Sequence, residues 1–218
     1  MTLVTAQMSV SIDGYYSGPR HLDAGFHRVT RWAVDAAAWR DRIGYEGGEE
    51  STNSELVTEF FAGTGAYVMG RKMFDKGEIP WGPEPPFGAP VFVVTHRPRE
   101  TLVKGSTTFT FVTDGVASAV EQARAAAGDQ DVLISGGGDM LRQVIDADLL
   151  DQLDLHIAPV LLGGGMRLFG DKGTLDGVEL EPTRVVPMPD VTHIRYAVKG
   201  RTKLTTDDRG RSGKLVSP

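Results

Sequence analysis

Short apolar runs alternate with amphipathic segments over the first two thirds of the chain, and this alternation limits the possible folds most. The runs at 91–95 and 132–134 are typical of strands that are buried on both faces. The last third instead predicts strands at 153–160, 178–186 and 192–198, with little room for helices between them. Strands linked by helices pair in parallel, whereas closely spaced strands pair antiparallel. We therefore predict an α/β fold in the form of a three-layer sandwich. Its mixed sheet is parallel in the front part and antiparallel in the C-terminal strands, with helices on both faces.

Local signals divide the chain further. We predict one domain over 1–200 and a polar, disordered tail over 201–218, because the tail lacks any periodic pattern. Shorter features predict a strand over 3–11, a turn at Asp13 and Gly14 and a loop over 15–19. A helix is predicted over 26–42, within an inserted helical region at 21–51. Thr52 and Glu55 predict a capping box, and Asp114 predicts the N-cap of a later helix.

Composition excludes several classes of protein. Hydrophobic residues make up 40% of the 218 residues and charged residues 24%, so a packed core is feasible. A net charge of −6 without a clustered basic surface argues against nucleic-acid binding. The first residues do not form a signal peptide, and no apolar run approaches the ~20 residues that span a bilayer. We expect a cytoplasmic protein without membrane contacts.

The absence of cysteine and the placement of histidine limit the chemistry. Without cysteine the chain offers no thiolate nucleophile, iron–sulfur cluster or zinc ribbon. The five histidines lack the spacing of metal ligands, and no Gly-x-Ser-x-Gly elbow is present. We therefore predict no metal site and no serine hydrolase activity.

A glycine-rich turn follows the strand at 132–134. Ser135, Gly136, Gly137 and Gly138 allow backbone amides to approach an anion, and the helix that follows offers its positive end. This pattern is typical of a pyrophosphate site, although it is neither the usual dinucleotide fingerprint nor a P-loop. A tight turn without a ligand explains the same residues equally well.

Cationic residues follow two other strands. Met69 and Gly70 lead into Arg71 and Lys72 at a helix start, where cations oppose the helix dipole. A second strand delivers a hydroxyl, an imidazole and a guanidinium in the order Thr95, His96, Arg97. An anionic ligand at the carboxyl edge of the sheet explains both placements, and a solvated surface explains each of them separately.

Two further features lie at strand ends. Asp13 ends an otherwise apolar strand, so it is either a turn residue that caps its own loop or a carboxylate directed into a cleft. A second glycine triplet, in the segment 161–165, indicates close approach of the backbone to a ligand or a neighbouring strand.

Five stretches together resemble the dihydrofolate reductase superfold, and most closely the stand-alone relatives of the riboflavin-biosynthesis reductase domain, known as the RibD C-terminal domain. They are Met8-Ser9-Val10-Ser11-Ile12-Asp13-Gly14, Val68-Met69-Gly70-Arg71-Lys72-Met73-Phe74, Val93-Val94-Thr95-His96-Arg97-Pro98, Val132-Leu133-Ile134-Ser135-Gly136-Gly137-Gly138 and Pro159-Val160-Leu161-Leu162-Gly163-Gly164-Gly165. The resemblance covers residues 3 to 199. It implies NADPH as hydride donor, with Arg71 and Arg97 at the adenosine 2′-phosphate and residues 136–141 at the pyrophosphate.

The resemblance also implies a set of site residues. The cofactor-binding set is Gly14, Met69, Gly70, Arg71, Lys72, Thr95, His96, Arg97, Ser135, Gly136, Gly137, Gly138, Asp139, Met140 and Leu141. The substrate-binding set is Gln7, Trp81, Leu161, Gly163 and Gly164, and Asp13 is the catalytic candidate, for proton delivery or for orienting the substrate.

The implied activity is NADPH-dependent reduction of a small heterocycle of the pteridine or ribosylaminopyrimidine type by a homodimer. The sequence departs from the riboflavin reductases at Gln7, where they typically carry lysine, and it lacks the acidic helix residue of dihydrofolate reductases. These departures favour an alternative, a module that binds NADP(H), a flavin or a pterin without turnover.

Overall fold

A computed structural model of the protein describes residues 2–19, 24–170, 175 and 177–201. The helices are α1 Ala24–Val34, α2 Ala37–Arg42, α3 Thr52–Gly63, α4 Arg71–Gly77, α5 Val116–Ala127 and α6 Gly138–Asp146. The strands are β1 Val4–Ser11, β2 Tyr15–Ser17, β3 Thr64–Gly70, β4 Val91–Val94, β5 Leu102–Lys104, β6 Thr107–Val112, β7 Asp131–Ser135, β8 Gln152–Ala158, β9 Met166–Arg167, β10 Val178–Pro187 and β11 Thr192–Arg201. Residues 202–218 of the predicted tail and 21–23 of the predicted insertion lie outside the described residues. No described helix is long and apolar enough to cross a membrane.

Nine strands form one sheet in the order β10-β11-β8-β1-β7-β3-β4-β6-β5, and β2 pairs with β9 in a separate ribbon. The six strands from β8 to β6 are parallel to their neighbours. At one edge β11 and β10 run antiparallel, and at the other edge β5 runs antiparallel to β6. The predicted α/β fold, with a parallel front part and antiparallel C-terminal strands, is therefore confirmed.

Alternating side chains of the central strands supply apolar cores on both faces of the sheet. Val68 and Ile134 face a core that also contains the buried side chains of α5 and α6. Tyr67 and Leu133 face the opposite side, where they pack near Phe74 of α4. This period of two residues is the expected signature of a strand that is covered on both faces. The sheet therefore forms the middle layer of a three-layer sandwich.

Four of the local predictions differ from the structure, two of them because of long-range pairing. The helix predicted over 26–42 is divided into α1 and α2 because Ala36 is extended and forms a parallel bridge with Glu49. The loop predicted over 15–19 contains β2, which pairs with β9. The capping box does not form, since Ser51 is the N-cap of α3 and makes no side-chain cap bond. Gly115, with φ +94°, takes the N-cap position predicted for Asp114.

Candidate functional site at the carboxyl edge of the sheet

Four neighbouring parallel strands end at the same edge of the sheet. β1 ends before Asp13, β7 before Gly136, β3 at Gly70 and β4 before Thr95. Their order in the sheet is β1-β7-β3-β4, so the chain segments that follow them lie side by side. In an open α/β sheet this edge is where ligands bind. The structure therefore brings the three predicted anion-binding junctions to one edge.

A carboxylate joins the two arginines that sequence reasoning assigned to a phosphate. Asp75 accepts hydrogen bonds from Arg71 Nε at 2.6 Å and from Arg97 Nη2 at 2.8 Å. Arg71 also donates to the carbonyl oxygen of Arg97, at 3.3 Å. The hydroxyl of Thr95 accepts from the Arg97 amide at 3.0 Å and so fixes this turn. Arg71 is held in place, whereas the Arg97 side chain is 68% exposed and can reach a ligand.

Lys72 and His96 are exposed beside these arginines. The bonds from Arg71 lower the pKa of Asp75, and those from Arg97 lower it further, so this carboxyl group is ionised at neutral pH. The two arginines against one carboxylate leave a local excess of positive charge. Such an excess suits a phosphate group.

The glycine turn after β7 is packed too tightly for side chains. A Cβ atom on Gly138 would lie 2.6 Å from the carbonyl oxygen of Leu168, and one on Gly137 would lie 2.9 Å from the Tyr16 hydroxyl oxygen. The Gly138 amide hydrogen-bonds to Tyr16, whose hydroxyl also donates to Met166 Sδ at 3.4 Å. The turn therefore presents backbone to the site at the start of α6, where a helix favours anions.

Several other predicted cofactor residues face the interior. The side chains of Met69, Met140 and Leu141 are buried in the cores of the sheet. Asp139 is exposed and pairs with Arg142 at 3.5 Å. The assignment of these residues to a cofactor site stays a prediction.

Asp13 ties the end of β1 to the loop that carries the second glycine triplet. Its carboxylate accepts hydrogen bonds from the Ser11 hydroxyl at 2.6 Å and from the amides of Leu162 at 3.1 Å and Gly163 at 2.7 Å. The Ser11 bond, together with those two amides, lowers the pKa of Asp13 to about 2. These contacts match the alternative of a strand-end carboxylate that caps neighbouring loops. The catalytic role of Asp13, in proton delivery or in orienting the substrate, stays a prediction.

We expect the variant Asp13→Ala to loosen this loop. Without the carboxylate the amides of Leu162 and Gly163 lose their acceptor, and their hydrogen exchange, followed by NMR, should accelerate above pH 5. Because the pKa of Asp13 is lowered, the wild-type contacts are complete above about pH 3.9 and weaken as pH falls through about 2. Unchanged exchange of both amides in the variant would contradict this role.

A cavity of about 470 Å³ opens on the face of the sheet that α1, α3 and α4 cover. Its wall includes Ser135, Gly136 and Gly137, so the glycine turn is continuous with the cavity. Two predicted substrate residues, Gln7 and Trp81, also line it. Of the predicted cofactor residues, only Ser135, Gly136 and Gly137 are among its lining residues. The catalytic candidate Asp13 and the remaining predicted substrate residues do not line it; the latter are Leu161, Gly163 and Gly164.

Trp81 lines the cavity and also packs against the apolar core. Its ring stacks on Phe109 at 6.0 Å between centroids and meets Phe87 edge to face at 4.9 Å. A Cβ atom on Gly77 would lie 2.1 Å from the Trp81 ring, so this glycine is required for the tryptophan to pack there. The segment after α4 is thus anchored to the sheet while it borders the cavity.

Two buried histidines of the cavity wall, His156 and His193, belong to a relay of polar side chains that sequence reasoning missed. The Asn53 amide nitrogen lies 3.3 Å from an Asp190 carboxylate oxygen and its carbonyl oxygen lies 2.9 Å from His193 Nε2. His193 Nδ1 in turn lies 2.8 Å from His156 Nδ1. With the Asn53 amide donating to Asp190, His193 Nε2 donates to Asn53 and His156 Nδ1 donates to His193. This order leaves His156 Nε2 as an acceptor, and it is buried with no hydrogen-bond partner among the described residues.

Both histidines are uncharged at neutral pH. Burial, with the charge of His193 as a smaller cause, lowers the pKa of His156 to about 3. Burial lowers the pKa of His193 to about 4. Trp32 packs on both rings, at 4.4 Å and 4.7 Å between centroids. The two residues are direct partners across β8 and β11, a register that their positions in the sequence do not reveal.

A buried ion pair lies next to the relay. Arg195 donates to Asp154 from Nε at 3.0 Å and from Nη2 at 3.1 Å, and Asp154 is only 5% exposed. Burial raises the pKa of Asp154 in spite of the arginine. Arg184 pairs with Glu59 at 2.8 Å, and Arg195 also contacts Glu59 at 3.2 Å. The two arginines that line the cavity are therefore both engaged by carboxylates.

Comparison with known proteins identifies the family. The family model described as the RibD C-terminal domain matches residues 2–194. The chain belongs to the RibD C-terminal domain family. The predicted resemblance is thus confirmed. A search of curated proteins found no significant match.

Solved structures show that this RibD C-terminal domain has a dihydrofolate reductase-like fold. A protein assigned to riboflavin biosynthesis from Shewanella sp. PV-4 is 20% identical, with a TM-score of 0.66 over 91% of this chain and 99% of the other. A diaminohydroxyphosphoribosylaminopyrimidine deaminase/5-amino-6-(5-phosphoribosylamino)uracil reductase from Thermotoga maritima is 12% identical, with a TM-score of 0.54 over 90% and 56%. Dihydrofolate reductase from Enterococcus faecalis complexed with NADP(H) is 14% identical, with a TM-score of 0.52 over 90% and 96%.

Proposed function

We propose that the protein is an NADPH-dependent reductase that transfers a hydride to a small heterocycle of the pteridine or ribosylaminopyrimidine type. The observation that carries this proposal is that the glycine turn and the cavity are continuous. The glycine turn at the start of α6 is also part of the wall of the apolar cavity, through Gly136 and Gly137. A dinucleotide held at the turn therefore has direct access to a substrate in the cavity. The solved relatives include a uracil-type reductase and a dihydrofolate reductase with NADP(H).

The residues at the edge of the sheet fit the cofactor. Arg71 and Arg97 both pair with Asp75, and the excess positive charge there matches an adenosine 2′-phosphate. The turn at 136–138 has no side chains, and it begins a helix whose amide end favours a pyrophosphate. The glycine turn follows β7, and the two arginines follow β3 and β4. These three strands are adjacent in the sheet, as one extended dinucleotide requires.

The chain supplies position and shielding, and the bound nicotinamide would supply the hydride. Aromatic side chains of α1, α3 and the segment after α4 line the cavity, so a bound substrate would displace water from an apolar wall, which strengthens polar contacts inside it. Gln7 offers an uncharged amide on the central strand, beside the glycine turn. Asp13 fixes the loop at 161–163 and so holds the end of β1 in place.

The test is NADPH consumption by the purified protein with a panel of dihydropterins and ribosylaminopyrimidines. We expect oxidation of NADPH with at least one member of the panel and much slower oxidation of NADH. Tight binding of NADPH without oxidation on any member would contradict a reductase.

One observation favours a second candidate, a module that binds NADP(H) or a pterin without turnover. Gln7 lines the cavity where the riboflavin reductases typically carry lysine, so the wall lacks a cation on this strand. The variant Gln7→Lys separates the two candidates. Turnover that appears only in the variant would support the binding module, whereas turnover in the wild type supports the reductase.

A further inference from the structure

We infer that Asp75 is a positioning residue that holds Arg97 ready for the 2′-phosphate of the cofactor, and that it thereby increases the preference for NADP(H) over NAD(H). The inference rests on the proposed function, since it concerns the cofactor of the same site. A carboxylate beside a phosphate site should by itself weaken phosphate binding, because the two charges repel each other. The contacts of the described residues indicate that positioning outweighs this repulsion.

Adjacent strands bring Asp75 and Arg97 together. β3 pairs with β4 in parallel and Gly70 is the register partner of Val94, so α4 begins beside the turn that follows β4. Asp75 lies four residues after Arg71 on α4, which places both side chains on one face of the helix. Its carboxylate reaches Arg71 Nε at 2.6 Å and Arg97 Nη2 at 2.8 Å. Asp75 therefore bridges the two strand ends that carry arginines.

The two arginines differ in what else holds them. Arg71 donates from Nη1 to the carbonyl oxygen of Arg97 at 3.3 Å. Its Cζ atom also lies 5.5 Å from the ring centroid of Phe111 and 5.8 Å from that of Phe74, a range in which a guanidinium and an aromatic face attract each other. The Arg97 side chain is 68% exposed, and among the described residues Asp75 is the acceptor of its hydrogen bond. Loss of Asp75 would therefore release Arg97 and leave Arg71 in place.

Both arginines keep N–H groups for a ligand. Within the described part of the chain, Arg71 uses Nε and Nη1 and keeps Nη2, whereas Arg97 uses Nη2 and keeps Nε and Nη1. Arginine binds phosphate through such N–H groups, often two at a time. Asp75 can therefore order Arg97 without occupying the donors that a 2′-phosphate needs.

The nearby Arg99 is held separately and does not compete for Asp75. Its two terminal nitrogens donate to the two carboxylate oxygens of Glu78, at 2.9 Å and 2.6 Å. Its Cζ atom lies 5.2 Å from the ring centroid of Phe74, so it shares an aromatic face with Arg71. We therefore expect Arg99 to stay with Glu78 when Asp75 is replaced.

Repulsion between Asp75 and a phosphate acts largely through solvent. The Asp75 side chain is 40% exposed, so salt screens its charge. An exposed ion pair is weak when it is isolated, but here one carboxylate joins two arginines in a network, which holds its members better. Binding to a released arginine costs the conformational entropy of ordering that side chain. Because Asp75 orders Arg97 before the cofactor binds, we expect the gain to exceed the screened repulsion.

Calorimetric titration with NADP⁺ and NAD⁺ tests the inference without any substrate, because these ligands differ only in the 2′-phosphate. The preference is the dissociation constant of NAD⁺ divided by that of NADP⁺. We expect Asp75→Ala to lower it about fivefold, and Asp75→Asn, which keeps the size and removes the charge, to lower it about threefold. Asp75→Glu keeps a carboxylate four residues after Arg71 and should change the preference less than about twofold. An unchanged or higher preference in Asp75→Ala and Asp75→Asn would show that the carboxylate does not position Arg97, which overturns the inference.

A double-mutant cycle shows whether Asp75 acts through Arg97. Arg97→Ala alone should lower the preference about tenfold, since it removes one hydrogen bond to a charged group. Once Arg97 is absent, Asp75 has no side chain to position there, so adding Asp75→Ala should lower the preference no further. Losses that add up in the double variant would contradict this route of action.

The matched control is Asp35→Ala. Asp35 also lies close to two arginines, Arg31 at 3.1 Å and Arg40 at 3.8 Å, and its side chain is 36% exposed. It directly follows α1, outside the strand ends that carry Arg71 and Arg97. We expect the preference to stay unchanged in this variant. A fall as large as that in Asp75→Ala would show that loss of any exposed carboxylate has this effect, and the inference would be wrong.

The inference and the proposed function fail in different ways. If no heterocycle oxidises NADPH while the Asp75 variants lower the preference as expected, the proposed reductase is wrong and the role of Asp75 stands. If the protein reduces a heterocycle with NADPH while Asp75→Ala leaves the preference unchanged, the reductase is supported and the inference is overturned.

Discussion

Replacement of both Arg71 and Arg97 by alanine should weaken NADPH binding about 100-fold and leave NADH binding nearly unchanged. A hydrogen bond to a charged group contributes about 1.5–3 kcal/mol, so two such bonds at the lower limit contribute about 3 kcal/mol. Since about 1.4 kcal/mol corresponds to a factor of ten, this is roughly a 100-fold preference. The lower limit applies because both arginines must share their bonds between the phosphate and Asp75. Calorimetric titration with each cofactor measures the two dissociation constants.

The matched control is Arg124→Ala. Arg124 lies on α5 and pairs with Asp151, whose carboxylate also accepts from the Val4 amide at the start of β1, the opposite edge of the sheet. Its removal should change binding of neither cofactor. Equal affinities for NADPH and NADH in the wild type, or an unchanged preference in the double variant, would place the 2′-phosphate elsewhere.

Replacement of Arg195 by methionine should destabilise the fold by about 3–5 kcal/mol at neutral pH, because it leaves the Asp154 carboxylate buried and unpaired. For a chain of this size that corresponds to a fall in Tm of roughly 10 °C. Arg124→Met removes an exposed ion pair and should cost less than about 1 kcal/mol. Adding Asp154→Leu to Arg195→Met should restore most of the loss. Thermal unfolding by circular dichroism measures all four proteins.

The loss in Arg195→Met should shrink as the pH falls. Burial already raises the pKa of Asp154 in the wild type, and removal of the arginine raises it further. The native variant then binds a proton at a pH where the unfolded chain, with an aspartate pKa of about 3.9, does not. Its stability therefore rises as the pH is lowered from 7 towards 4. A deficit that grows over this range would contradict the assignment of Asp154 as the unpaired group.

The sequence predicted the parts of the molecule that depend on local pattern. Apolar runs predicted the buried strands, and the glycine or cationic residues that follow them predicted the carboxyl edge of the sheet. Both predictions were possible because the end of a parallel strand can be recognised from the local sequence alone. The approach of Arg71 to Arg97 followed from this rule. Their shared carboxylate, Asp75, was missed because its role depends on which two strand ends are neighbours.

Features that depend on strand register or long-range pairing could not be predicted. His156 and His193 meet only because β8 and β11 are paired in one particular register. The break between α1 and α2 results from the bridge of Ala36 to Glu49, which overrides a helical pattern. Asp13 was recognised as a strand-end carboxylate, but its hydrogen bond from the Leu162 amide was not predicted. The two residues are 149 positions apart in the sequence, and only the fold brings them together. Register-dependent contacts therefore define the cavity, and this is why the sequence indicated the cofactor better than the substrate.

Transfer of deuterium from the cofactor to the heterocycle is the decisive test of hydride transfer by this protein. The protein is incubated with an unphosphorylated dihydropterin and NADPH that carries deuterium at the transferable position of the nicotinamide ring, and the product is analysed by mass spectrometry. We expect the wild type to form a reduced heterocycle with one deuterium on a ring carbon, and the Arg71→Ala, Arg97→Ala double variant to form much less of it at limiting cofactor. A protein that binds NADPH tightly and yields no deuterated product from any pteridine or ribosylaminopyrimidine would contradict this expectation.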